Sequence, residues 1–131
     1  MQEVYEYLKG AGAYFLATMD GDQPRVRPFG TQLIYDGKLY IQTSKQKSCS
    51  KQMAKNPKVE ICAMKTDGTW IRIEAVAVND DTVAVKQAML DEHPQLKAIY
   101  SAEDEKTQVL YLKDVTVTFC AFGKDPKVVK Y

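Results

Sequence analysis

Apolar and polar positions alternate with a period of two through most of this chain, and Asp-Gly pairs and prolines cut the alternation at regular intervals. An amphipathic opening segment carries Val4, Tyr7 and Leu8. The run from Ala13 to Met19 reads as a strand and ends in the turn signal Asp20-Gly21-Asp22. A second strand is expected from about Pro24 to Tyr35, and Asp36-Gly37 turns it into a third from Lys38 to Thr43, giving a three-strand meander. From Ser44 to Asn56 the alternation stops; Cys49 and Met53 stand four apart, and Ser44 is a candidate N-cap, so this segment predicts a helix that Asn56-Pro57 ends.

Two further strands, Val59 to Met64 and Thr69 to Val78, flank a hairpin turn centred on Asp67-Gly68. In the longer one Ile71, Ile73, Ala75 and Ala77 share one face, leaving Trp70, Arg72 and Glu74 on the other for a ligand or a partner. Asn79 to Thr82 caps a helix reaching about Glu92, and Pro94 opens a shorter one ending near Tyr100. A strand pair, Gln108 to Leu112 and Val115 to Phe122, precedes a tail from Lys127 that can add an edge strand. Six or seven antiparallel strands with two or three helices predict a mainly β (α+β) fold, a small closed or split barrel.

At 131 residues the chain has the length of one domain, and 45% hydrophobic with 27% charged residues is a globular composition. Its longest uncharged stretch, Gly10 to Met19, is too short to span a bilayer, so no membrane insertion is expected. MQEVYEYLK carries two glutamates where a secretory signal carries basic residues, which makes a cytoplasmic location the expectation. Three widely spaced cysteines give neither a disulfide framework nor a metal site, and Cys62 and Cys120, set in apolar runs, read as core. The single histidine, His93, reads as a surface linker residue at a helix boundary.

Charge changes the picture. The net +1 conceals a segment from Gln23 to Val59 with eight basic residues against one acid, Asp36, a local +7 that the rest of the chain balances with −6. Arg25 and Arg27 are two apart and share a strand face, bracketed by Pro24 and Pro28, which places them on an edge or irregular strand. Thr43 and Ser44 follow one strand later, then Lys47 and Ser48 at the helix start and Lys51 one turn on. Hydroxyls, ammonium groups and a helix N-terminus together suit a phosphate monoester, which needs both donors and opposing charge. Nucleotide-binding, serine-hydrolase and zinc-protease signatures are absent, and no catalytic residue stands out. Binding of single-stranded nucleic acid through the basic stretch is disfavoured, because the aromatics are not interleaved with the lysines and the remaining chain is acidic.

The succession GDQPRVRPFG, then GKLYIQTSKQKSCSKQMAKNPKVEI, then GTWIRIEAVAV resembles the pyridoxamine 5'-phosphate oxidase-like, FMN-binding split-barrel superfamily. The resemblance covers most of residues 1–131, strongest from Gly21 to Val78, and implies one FMN-binding domain that dimerises with the flavin at the subunit interface. It implies that Arg27 and Arg25 serve the phosphate and ribityl chain, while Pro28, Phe29 and Gly30 run beside the isoalloxazine ring. Thr43 and Ser44 would hydrogen-bond the flavin or its chain, Lys47, Ser48 and Lys51 would complete the phosphate site, and Trp70 and Arg72 would line the pocket or the dimer contact. The expected activity is hydride or electron transfer through flavin N5 to or from a small molecule; a flavin carrier or sensor without turnover is the alternative. Oxidation of vitamin B6 is not expected, because the carboxy-terminal tryptophan and arginine motif of the true oxidases is missing and Trp70 is the only tryptophan. The lone histidine likewise does not point to the haem-binding branch.

Overall fold

A computed structural model describes Met1 to Tyr131. Helix α1 (Gln2–Ala11) leads into strands β1 (Tyr14–Asp20), β2 (Gln23–Phe29), β3 (Leu33–Tyr35) and β4 (Lys38–Ser44). Helix α2 (Ser48–Lys55), strands β5 (Lys58–Met64) and β6 (Trp70–Asp80), and helix α3 (Val83–Glu92) follow. A 3-10 turn (Pro94–Ala98) then leads to β7 (Thr107–Cys120) and β8 (Lys127–Lys130). The strands form one antiparallel sheet in the order β2-β1-β5-β6-β7-β4-β3, with β8 added to β7. This is the expected split-barrel class, with eight strands and three α-helices.

The expected meander is replaced by something more informative. The stretch from Pro24 to Tyr35 is two strands: β2 pairs with β1, whereas β3 pairs with β4 at the opposite end of the strand order. Only Gly30, Thr31 and Gln32 join them, a reach of about 13 Å at most. The sheet therefore curls until its two ends face each other, and that three-residue link crosses the open seam. The β3–β4 turn is a two-residue loop with φ 51° at Asp36 and 75° at Gly37, the left-handed pair that a tight hairpin with native twist requires.

Two other boundaries differ from expectation. Helix α2 starts at Ser48, with Lys47 rather than Ser44 in the capping position; Ser44 still belongs to β4, and its hydroxyl accepts from the Gln46 N–H in the connecting turn. The expected strand pair around Lys113-Asp114 is the single strand β7. Asp114 takes φ 53° where the register shifts between Glu74 and Val76, so the extra residue is absorbed as a β-bulge instead of reversing the chain.

The inward rows of β1, β4, β5, β6 and β7 meet α1 and α2 in one core, including Val4, Leu8, Tyr14, Leu16, Ile61 and Ile73. Each of the aliphatic side chains among them contributes roughly 1.5–3 kcal/mol by full burial. Leu33, Tyr40, Val85, Met89 and Val109 form a smaller core beneath α3. Strand β6 buries Ile71, Ile73, Ala75 and Ala77 as expected. The same parity turns Cys62 outward between Ile61 and Ala63, so Cys62 is exposed and Cys120 only half-buried; neither is the core residue its apolar surroundings suggest.

Candidate cofactor site

Arg27 and Arg25 stand opposite Leu16 and Thr18 of β1, on the face that α2 covers. Arg27 donates from Nη1 to Thr18 Oγ1 at 2.6 Å and to the Leu16 carbonyl at 3.3 Å, and from Nη2 to Gln52 Oε1 at 2.8 Å. Thr18 in turn donates to the same Gln52 oxygen at 2.6 Å. Gln52, projecting from α2, thus locks the strand-borne guanidinium in place. Sequence reasoning missed it, because a lone glutamine on a helix carries no signal until the helix is seen to lie over β1.

Beside this lock is a cavity of about 180 Å³. Arg27, Pro28, Phe29 and Gly30 form one side, with Thr43 of β4 and Lys47 at the start of α2 opposite. Six of the twelve residues singled out from sequence therefore meet here, joined by Thr31, Gln42 and Cys49, which were not anticipated. Cys49 Sγ lies 3.4 Å from Thr43 Oγ1. No aspartate or glutamate lines the cavity, and Lys47 makes no ion pair within the chain. Gly30 has negative φ and nothing within 4 Å of where a Cβ would stand, so the wall is open at that point to close approach by a flat ligand.

The other six lie apart. Ser48 and Lys51, with Gln52 and Lys55, line a larger depression of about 640 Å³ between α2 and the β1–β2 turn, on the far side of the Arg27–Gln52 pair. Arg25 is exposed and pairs with Asp20 at 3.3 Å. Ser44 is buried at the end of β4, its hydroxyl taken up by the Gln46 N–H. Trp70 and Arg72 stand on the outer face of β6, where the Trp70 ring packs edge-on against Phe122 at 5.5 Å. That face places Phe15 beside Cys62 and Cys62 beside Arg72 in one row across the sheet.

The chemistry of the cavity is that of an anion and polar-ring site: a fixed cation, an unpaired cation, a hydroxyl, an amide and a gap over glycine. Its back wall is the β2–β3 link. Tyr14 donates to the Thr31 carbonyl at 2.5 Å, and burial raises the Tyr14 phenol well above its ordinary range, so it remains a donor. His93 Nε2 lies 2.8 Å from the Gln32 carbonyl oxygen, with its side chain only 13% exposed, so the surface-linker reading of this residue is wrong. Residue spacing could not reveal this, because the contact joins positions 61 apart.

Comparison with known proteins agrees with this architecture. Residues 1–119 match the family model described as pyridoxamine 5'-phosphate oxidase. A NimC/NimA family protein from Clostridium acetobutylicum superposes with a TM-score of 0.96 and 44% identity, covering 100% of this chain and 92% of that one. The General Stress Protein 26 of Bacillus anthracis shares the fold at a TM-score of 0.79 and 20% identity, covering 99% and 97%. A protein of the pyridoxinephosphate oxidase family from C. acetobutylicum, related to general stress protein 26, does so at 0.76 and 13%, covering 98% and 92%. No curated protein matches the sequence. A family match over nine-tenths of the chain, on a split barrel with its basic seam in place, makes this protein a member of the pyridoxamine 5'-phosphate oxidase family.

Proposed function

We infer that the chain binds FMN at the seam cavity and works as an FMN-dependent oxidoreductase on a small molecule. The observation that carries this reading is the acid-free cavity in which a pre-fixed Arg27, an unpaired Lys47 and an uncovered Gly30 converge. These residues fit the cofactor's parts. Arg27 and Lys47 offer charge and donors to a phosphate; Thr43 and Gln42 suit ribityl hydroxyls or ring heteroatoms; Phe29 and Gly30 offer a flat edge. When bound, FMN supplies hydride or electron transfer at N5, and the chain's own part is to bind, orient and shield it. This accounts for the lack of an acid–base pair in the cavity.

A cavity of 180 Å³ is smaller than the roughly 300–1,000 Å³ of a typical ligand pocket, so one chain supplies only part of the enclosure. A second copy would complete it, in line with the homodimer expected from sequence. The outer face of β1, β5 and β6 suits such a contact: Phe15 and Met64 are half exposed, and Arg72, Glu60 and Glu74 form no ion pair within the chain. Glu60 and Glu74 stand directly opposite each other, an unfavourable pairing that the Arg72 of a second subunit would relieve.

The test is the visible spectrum of the purified protein, followed by mass identification of what denaturation releases. Expected are flavin absorbance near ~450 nm and the mass of FMN. A colourless protein that neither gains that absorbance nor quenches flavin fluorescence on FMN addition overturns the reading. Anaerobic mixing with NADH or NADPH then separates oxidoreductase from carrier, since only the former bleaches the flavin at a useful rate.

A further inference from the structure

Gly30, Thr31 and Gln32 cross the open seam without a single backbone–backbone hydrogen bond, so the ladder that fixes every neighbouring strand does not fix them. Two side chains do. Tyr14 holds the Thr31 carbonyl from β1, and His93 holds the Gln32 backbone from the end of α3, with Nε2 2.8 Å from the carbonyl oxygen and 3.3 Å from the N–H. One ring nitrogen cannot serve both: protonated, Nε2–H donates to the carbonyl, and unprotonated, Nε2 accepts from the N–H, so either tautomer ties the ring to the Gln32 backbone. Glu92 Oε2 stands 3.4 Å from the same nitrogen. Thr31 and Gly30, one and two residues upstream of this anchor, line the cavity.

We propose that His93 is a positioning residue for the cofactor cavity: its imidazole anchors the seam-crossing link at Gln32 and so sets the shape of the wall that Gly30 and Thr31 present. The inference rests on the FMN reading of that cavity. The imidazole is not needed to end α3, because the His93 backbone N–H already donates to the Met89 carbonyl at 3.0 Å. Its removal therefore releases the Gln32 end of the link while leaving the helix cap in place. Tyr14, by contrast, is fully buried in the main core, and its loss would disturb packing as well as the link.

The experiment titrates FMN into apo wild type, His93→Ala and His93→Gln, read by flavin fluorescence, with a thermal melt of each apo protein. His93→Ala is expected to weaken FMN binding about five- to tenfold, the effect of losing one anchoring hydrogen bond. His93→Gln, whose side-chain amide reaches as far as Nε2 and can donate to the same carbonyl, is expected to recover wild-type affinity. Equal affinity of wild type and His93→Ala, or failure of a normally melting His93→Gln to recover, overturns the positioning role alone. A wild type that takes up no FMN overturns the cofactor reading and this inference with it.

Discussion

Arg27 is held by three acceptors before any ligand arrives, so a bound phosphate or ring carbonyl would meet a guanidinium that has already lost its rotamer freedom. Gly30 is its counterpart on the opposite principle, useful for what it lacks. Because a Cβ there meets nothing within 4 Å and φ is ordinary, Gly30→Ala should leave the apo melting point unchanged or slightly higher, by about 0.4–1 kcal/mol of stability. The same methyl would occupy the space over the link, so FMN affinity should fall by about tenfold in a fluorescence titration; undiminished affinity would show that the ring lies elsewhere. Arg27 was singled out in the sequence by its same-face spacing with Arg25 and by the family resemblance, and Gly30 by the resemblance alone. Gln52, Thr31 and Gln42 were not, since what recruits them is proximity across α2, the link and β4. Cys62 shows the reverse error: apolar neighbours suggested core, yet strand parity alone turns it outward.

At the scale of elements, the alternation located nearly every strand, whereas its continuity misled in two places. An unbroken β-like run from Pro24 to Tyr35 conceals a change of partner, because local pattern does not record which strand lies alongside. Lys113-Asp114 looks like a turn and is a bulge, because the continuous partner β6 keeps both halves of β7 in one ladder. The loop before β7 is pinned by one carboxylate. Asp104 accepts from the backbone N–H groups of Ser101, Lys106 and Thr107 at 2.9, 3.1 and 2.6 Å. Partial burial acts to raise its pKa, but those donors together bring it down to about 2. A depressed carboxylate stabilises the fold above its unfolded value near ~4, and that contribution is lost as pH falls from there toward 2. Asp104→Ala should accordingly cost about 1–2 kcal/mol at pH 7 in urea unfolding, and the gap to wild type should narrow below about pH 4. A gap independent of pH would mean that the loop is held by other contacts.

Across the whole molecule, the +7 segment meets the acids that balance it at its margins, where Lys45 pairs with Asp81 and Arg25 with Asp20, and not at the cavity. The acids from Asp80 to Glu105 serve α3 and its flanking loops, through pairs such as Asp81 with Lys45 and Asp91 with Lys97, and none lines the cavity. The outer sheet face carries three further unpaired charges, Arg72, Glu60 and Glu74, and there a prediction about assembly applies. Arg72→Glu removes no ion pair within the chain, so the subunit should keep its fold, yet it adds a third acid beside Glu60 and Glu74. Sedimentation should show dimer dissociation strengthened at least about tenfold, and the swap Arg72→Glu with Glu74→Arg should restore association. Unchanged association in Arg72→Glu would remove this face as the contact. The sequence by itself determined the class of fold, where most of the helices and extended segments lie, and the basic segment, because period, turn chemistry and charge are local properties of the chain. Only the tertiary structure decided that β2 and β3 part to opposite ends of one curled sheet, that a three-residue link bridges the seam, and that Gln52 and His93 reach it from distant helices. Those are consequences of which surfaces pack together, and no window of residues contains its own partner.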